Sequence, residues 1–326
     1  MRRLLVVGFV PCGLFVGCLW ALVRAGSFGG RRSDWGAVVP ATSGAVAATL
    51  LALTACAGLL ALLLQPFQVR AVRVLEGYWD RWPLTARLAG VLVEVQRRRW
   101  EALRERAQGG RTSSGASRGA AGRRVRADAG RRLGARPPVD VLLPTALGNA
   151  LRAGEMTAGE RYGLSTLASW PRIYMQVSDR MSDVLRSTRD ALDVATNLCW
   201  SFLALTVVSA TALYDEPAYR WLSAAALLLA AVAYKGAVIA AQSYAGLMRV
   251  VFDVHRFDLV DALHLPLPGT PEEEDALFAG VSDLLTGRGR PDLPYDHHRA
   301  DRRPRGLHPD DAHRAADPQH MDRESP

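Results

Sequence analysis

The segment from Leu142 to Tyr174, LLPTALGNALRAGEMTAGERYGLSTLASWPRIY, concentrates the residue types that often form a site. Polar and aromatic side chains grouped in this way can bind a ligand or a partner. No nucleophile–histidine pair, phosphate-binding loop or metal-ligand spacing accompanies them. We therefore predict no catalytic residue, no metal and no cofactor, and interpret the segment as a candidate partner-docking surface formed by Thr145, Gly148, Asn149, Arg152, Glu155, Tyr162 and Trp170.

The alternative for this segment is purely structural. Thr145 is suited to cap a short helix, within which Arg152 and Glu155 lie about one turn apart. Trp170-Pro171 predicts a break in the chain before the next helix. Tight folding beside a membrane explains these features as well as a binding surface does, so both interpretations stay open.

Two other groups of reactive residue types were considered as sites. Asp258, Asp261 and His264 follow at i, i+3 and i+6 and could hold a divalent cation, but an acidic solvated helix face explains them better. The four cysteines all fall in apolar runs without metal-ligand spacing, and we interpret them as small apolar residues: Cys12, Cys18, Cys56 and Cys199.

These residues are carried by a chain with four long apolar runs. A bilayer core needs about 20 apolar residues in a helix. The predicted spans are 4–23, 44–64, 194–214 and 221–241. The first could instead be a cleaved signal peptide, but no A-x-A site follows it, so we favour a retained helix. The sequence thus predicts an all-α, four-span membrane protein with a cytoplasmic helical region.

Arginine distribution predicts the orientation. The segment between the second and third spans is arginine-rich, whereas the loop DEPAYR between the third and fourth is short and net acidic. We therefore expect a multi-pass protein of the bacterial inner membrane with both termini in the cytoplasm. The first loop does not fit well, because it carries Arg24, Arg31 and Arg32 against Asp34 and yet must face outward.

Three polar residues near the third and fourth spans are candidates for an intramembrane role. Of the 40 Lys and Arg residues only Lys235 is a lysine, and it lies inside a span. Folding the two spans together predicts that Lys235 lies near Cys199, with Asn197 below it and Asp193 within reach of an ion pair. Anchoring of Lys235 at the interface is favoured over an ion or proton path.

Small residues recur at four-residue steps in the first two spans, which allows close helix packing. An antiparallel pair centred between residues 34 and 35 predicts contacts of Gly13 with Cys56 and of Gly17 with Ala52. The third predicted contact of this hairpin is Ala21 with Ala48.

The remaining segments are predicted to be cytoplasmic. Residues 66–107 form amphipathic helices, which either lie on the inner leaflet or pack against another helix. Residues 108–139 form a disordered basic linker, 140–193 and 242–287 are helical, and 288–326 form a disordered tail. The net charge of Arg97–Arg136 favours anionic lipid or solvation, and no specific nucleic-acid binding is expected.

Three segments resemble a family of largely actinobacterial integral membrane proteins to which no activity is assigned. They read LLLQPFQVRAVRVLEGYW, LPTALGNALRAGE with RYGL and WPRIY, and FDVHRFDLVDALHLPLPGTPEEE. The resemblance covers most of residues 1–285 apart from the linker and implies an architecture rather than an activity. The chain differs from the family pattern at Ala146 and Ser165, where an arginine and an aspartate are usual.

The sequence therefore leads to two functional hypotheses from different classes. The first is a non-enzymatic membrane scaffold or accessory subunit that docks a protein partner through its cytoplasmic helices. The second is a channel or transporter component, formed as a homo-oligomer, with Lys235 and Asn197 near a pore.

Overall fold

The computed structural model describes residues 4–29, 32–79, 83–109, 119–289 and 292–296, and over these residues the chain forms helices and no strand. After a π-helical stretch at Leu4–Phe9, the α-helices are α1 (Val10–Arg24), α2 (Ser43–Leu64), α3 (Gln68–Glu76), α4 (Pro83–Gln108), α5 (Ala120–Gly134), α6 (Ala146–Thr157), α7 (Thr166–Tyr174), α8 (Asp179–Ala212), α9 (Trp221–Ala262) and α10 (Pro271–Thr286). Four helical segments are long and apolar enough to cross a membrane: Val7–Arg24, Ser43–Glu76, Asp179–Ala212 and Pro217–Ala262. The predicted fold class is confirmed.

The helices α8 and α9 extend well beyond the predicted spans. With 34 and 42 residues they are about 51 and 63 Å long, whereas the hydrocarbon core is about 30 Å thick. Ser178 caps the start of α8, where its hydroxyl accepts from the Met181 backbone N–H at 3.5 Å. One end of the α8–α9 pair therefore projects out of the apolar region and carries a helical body.

The two short loops meet at the other end of the molecule. Glu216 Oε1 accepts hydrogen bonds from the Ser33 backbone N–H at 2.9 Å and from the Ser33 hydroxyl at 2.5 Å. The rings of Trp35 and Tyr219 lie 5.4 Å apart. The loops between α1 and α2 and between α8 and α9 therefore lie on the same side, as the predicted topology requires.

The first hairpin forms, and a Cβ on Gly8 would lie 3.3 Å from Ala61 Cβ, a pair that fits the predicted midpoint, but the contacts further along differ from the prediction. A Cβ on Gly13 would lie 3.9 Å from Ala57 Cβ, and one on Gly17 would have no atom within 4 Å. The opposite stripe of Ala48, Ala52 and Cys56 is exposed. The predicted contacts of Gly13 with Cys56 and of Gly17 with Ala52 are therefore wrong, while that of Ala21 with Ala48 stays a prediction. In an alanine-rich helix neighbouring faces are almost equally small, so the sequence pattern does not select one of them.

The body at the projecting end has a core of large apolar side chains. Leu164 and Ile173 come from the middle segment, Phe252 and Leu259 from α9, and Phe278 from α10, and all are almost fully buried. Because α9 contributes to this core, the body is continuous with the fourth predicted span.

A disordered linker over residues 108–139 is wrong for Ala120–Gly134, which forms α5 against α4. Asp128 pairs with Arg131 and Arg132 at 3.3 and 2.8 Å, one turn along the helix, and Ala129 is buried. Alanine and arginine favour helix, and α4 supplies the packing surface that an isolated segment lacks. Residues 110–118, like most of the predicted tail beyond 288, lie outside the described residues.

Candidate functional site

The start of α6, within the predicted docking segment, packs closely against the end of α3 and is hydrogen-bonded to it. Thr145 caps α6, since its hydroxyl oxygen accepts from the Gly148 backbone N–H at 3.0 Å while donating to the Glu76 carbonyl at 2.8 Å. A Cβ on Gly148 would lie only 2.1 Å from that carbonyl oxygen. Gly77 ends α3 in the left-handed conformation with φ of 99°. The glycine at 148 is therefore required by the close approach of two helices.

Asn149 is buried, and its side chain forms hydrogen bonds with the backbone of the preceding loop. Its side chain is 3% exposed, with Oδ1 accepting from the Leu143 backbone N–H at 2.7 Å and Nδ2 donating to the Leu143 carbonyl at 2.9 Å. Two residues earlier, the Leu147 backbone N–H donates to the Tyr234 hydroxyl at 3.2 Å, which joins α6 to α9. The polar groups of this stretch thus form their hydrogen bonds within the protein.

Arg152 holds the end of α6 against the turn that follows. Its guanidinium lies 2.8 Å from Glu155 and 3.2 Å from Glu160, and its hydrogen bond to Glu155 raises the pKa of Arg152. Beside this pair, a Cβ on Gly154 would lie 2.6 Å from Ala245 Cβ on α9. The two helices therefore touch backbone to backbone.

Tyr162 lies in a cluster of arginines and carboxylates that joins the segment to α9 and α10. Its hydroxyl donates to Asp253 at 2.8 Å, and the guanidinium groups of Arg161 and Arg256 each lie 4.5 Å from its ring centre. Burial and the hydrogen bond to Asp253 raise the pKa of Tyr162, so its hydroxyl stays protonated at neutral pH. Arg256 in turn donates to Glu274 of α10 at 2.9 Å.

Trp170 is part of an aromatic stack in the core. Its ring is stacked on Phe252 at 6.0 Å and meets the edge of Tyr244 at 6.2 Å. The helix α7 continues through Pro171 to Tyr174, so the predicted chain break at Trp170-Pro171 is wrong. In a helix of only 9 residues the missing proline N–H removes a single hydrogen bond.

The seven residues predicted as a docking surface therefore mainly hold α3, α6, α9 and α10 together. This corrects the interpretation of the buried members Gly148 and Asn149, which offer no accessible surface. Sequence reasoning recognised the cap and the Arg152–Glu155 pair. It missed the partners from distant segments, namely Glu76, Tyr234 and Arg256, because no local pattern marks them.

The three predicted intramembrane polar residues make no contact with one another that matches the prediction, and each has its own partner or exposure. Pro11 has no N–H to donate to the Val7 carbonyl one turn earlier, and Asn197 Nδ2 donates to that carbonyl at 2.8 Å. Asp193 is buried and pairs with Arg189 at 3.3 Å. Lys235 is exposed on the outside of α9. The predicted Lys235–Asp193 pair is wrong, because the helical turn before Asp193 supplies a nearer cation.

A cavity of about 860 Å³ lies between α1, the α2–α3 segment and α8. Its lining is apolar at Phe15, Leu60 and Ala204 and polar at Gln68, Arg189 and Asp193. Asn197 also lines it, but Lys235 does not. The volume lies in the usual range for small-molecule sites in proteins.

The helix α4 presents an exposed apolar stripe. Leu84, Leu88, Val91 and Val95 follow at steps of three or four residues and share one face, and Leu88 and Val91 are 52% and 63% exposed. Arg98 continues the same face one turn later. The buried residues Ala89 and Gln96 are the opposite, inward-facing side of this helix.

The predicted acidic face of Asp258, Asp261 and His264 does not lie on one helix, because His264 follows the end of α9. His255 Nδ1 lies 2.7 Å from Asp258, while α9 ends at Ala262 and places His264 beyond the helix with φ of 56°. No group of three or more His, Cys, Asp or Glu suited to a metal ion occurs in the described part of the chain. The described cysteines are free thiols.

No protein-family model, curated protein or solved structure matches the chain. The resemblance to an actinobacterial membrane family therefore stays a prediction.

Proposed function

We propose that the chain is a non-enzymatic scaffold or accessory subunit of the bacterial inner membrane that docks a protein partner through α4. The observation that carries the proposal is the exposed stripe of Leu84, Leu88, Val91 and Val95 on α4. Four apolar side chains on one face of a helix outside the predicted spans need a partner to remove them from water. This moves the docking surface from residues 145–170, whose side chains are engaged within the chain, to the preceding cytoplasmic helix.

The charges beside the stripe indicate which partner fits it. Arg87 lies one turn from Leu84 and Val91, whereas Arg98, which extends the stripe, pairs with Glu94 at 3.0 Å. Arg97 pairs with Glu94 and Glu101. An amphipathic helix with an apolar face and an acidic flank would therefore bury the stripe and place a carboxylate beside Arg87. Both termini in the cytoplasm belong to the same proposal, since the arginine-rich end carries α4.

The experiment is site-specific photo-crosslinking in cells. A photoreactive amino acid replaces Leu88 or Val91 in one set of variants and Arg104, on another face of α4, in the matched control. We expect one discrete protein adduct from positions 88 and 91 that is absent from position 104 and disappears when Val91→Glu is combined with the probe at 88. Adducts to lipid alone would show that the stripe lies on the inner leaflet and would refute protein docking.

The alternative of an oligomeric channel has less support. Within one chain Lys235 faces outward while Asp193 and Asn197 line a cavity between other helices, so the three do not share a path. Unchanged ion flux in liposomes carrying Lys235→Ala would count further against a pore.

A further inference from the structure

We infer that the cavity between α1, α2–α3 and α8 binds one acyl chain of a membrane glycerophospholipid, with the polar end of the lipid beside Gln68 and Arg189. The first observation is how polarity is distributed along the cavity. On α8 the charged residues Arg189 and Asp193 precede Ala204 by 11 to 15 residues, which is about 16–22 Å of helix, and the uncharged Asn197 and Ser201 lie between them. The α2–α3 segment shows the same order, from Gly58 at the apolar end to Gln68 at the polar end.

The second observation is an unsatisfied donor at the polar end. Gln68 Nε2 is buried and has no hydrogen-bond partner among the described residues. A buried amide donor without a partner is destabilising, so an acceptor supplied by a ligand is favoured there. The ester and phosphate oxygens of a phospholipid are such acceptors. Arg189 and Asp193 form an ion pair in which their opposite charges offset each other, so a ligand at this end does not have to be an anion or a cation.

The third observation is the rim of the cavity. Leu62, Leu64, Phe67 and Val69 line it and are at least half exposed. They belong to a helical segment apolar enough to span the membrane, so in a bilayer their surroundings are lipid. The cavity is therefore continuous with the hydrocarbon phase, and an acyl chain can enter it from the side without passing through water.

The test uses wild-type protein in phosphatidylcholine vesicles that contain a small fraction of phosphatidylcholine with a photoactivatable group at the end of one acyl chain. Adducts are mapped by peptide mass spectrometry. We expect labelling to peak on the peptides that contain Phe15 and Ala204. Labelling confined to the outer faces of the spans, for example around the exposed Leu228, would overturn the inference.

Two substitutions fill the space from different helices. Gly58→Leu and Ala204→Leu place side chains in the cavity, and a Cβ on Gly58 has no atom within 4 Å to clash with. The control is Gly17→Leu, which also has free space but lies outside the cavity. We expect each filling variant to lower cavity labelling at least tenfold, whereas the control labels like the wild type. Equal labelling in all four proteins would overturn the inference.

Two further measurements examine the polar end and the lipid class. Gln68→Leu removes the donor, and the loss of one neutral hydrogen bond predicts about 2–10-fold weaker labelling. Unlabelled phosphatidylcholine should compete with the probe. Competition by oleate but not by phosphatidylcholine would identify a free fatty acid as the ligand and refute the phospholipid assignment.

Discussion

The contact of α6 with α9 gives the sharpest test of the fold, through Gly154→Ala. The added methyl group would lie 2.6 Å from Ala245 Cβ and 3.1 Å from Ala245 Cα, whereas carbon atoms in ordinary contact are about 3.5–4.0 Å apart. The two helices must therefore separate by about 1 Å. Overpacking of this kind typically costs about 1–3 kcal/mol.

The assay is the apparent melting midpoint of the purified protein in one detergent. A loss of 1–3 kcal/mol corresponds to a fall of about 2–12 °C for a unit of this size. The control is Gly246→Ala on α9, where the new Cβ has no atom within 4 Å. Alanine favours helix over glycine by about 1 kcal/mol at either position, so the control should be unchanged or slightly more stable, and the fall in midpoint for Gly154→Ala is measured relative to this control.

Rescue by a second substitution separates this clash from a general defect. Ala245→Gly removes the methyl group that would clash with the side chain introduced by Gly154→Ala. The double variant should therefore lose less free energy of unfolding than the two single variants lose together, by about 1 kcal/mol or more. Rescue will be incomplete, since Ala245 Cα is still close. Purely additive effects, or a Gly154→Ala variant as stable as the wild type, would refute the close α6–α9 contact.

Two other predictions concern buried polar contacts. Asn149→Ala leaves the Leu143 backbone N–H and carbonyl without their partner, so we expect about 2 kcal/mol of destabilisation in the same melting assay. An unchanged melting midpoint together with loss of the crosslinked partner would instead support a docking role for Asn149. Glu216→Ala removes the acceptor of two Ser33 hydrogen bonds, so amide hydrogen exchange in residues 32–39 should accelerate at least about tenfold. The control Asp215→Ala, at an adjacent exposed residue, should change the exchange rate little, and equal rates in the two variants would contradict the loop contact.

The membrane-spanning character of the chain could be predicted from sequence because it depends on local composition. A run of about 20 apolar residues is unfavourable in water wherever it occurs, so four runs predict four helices without knowledge of their neighbours. The cap at Thr145 was likewise recognisable, because a cap acts within one helical turn.

What the sequence did not reveal depends on how separate helices pack against one another. The helix α5 forms where composition predicted disorder, because α4 lies beside it and buries Ala129. Asp193 pairs with Arg189 instead of Lys235, since helix rotation decides which side chains face inward.

The sequence by itself determined the helical class, the number of apolar spans and several helix ends, since these follow from hydrophobicity and backbone hydrogen bonding over short distances. Only the tertiary structure decided that the conspicuous segment at 142–174 is largely internal, that the exposed apolar stripe lies on α4, and that α1, α2–α3 and α8 line a cavity. Contacts such as Thr145 with Glu76 join residues 69 positions apart. Their geometry depends on how all the helices pack at once, and no local pattern contains that information.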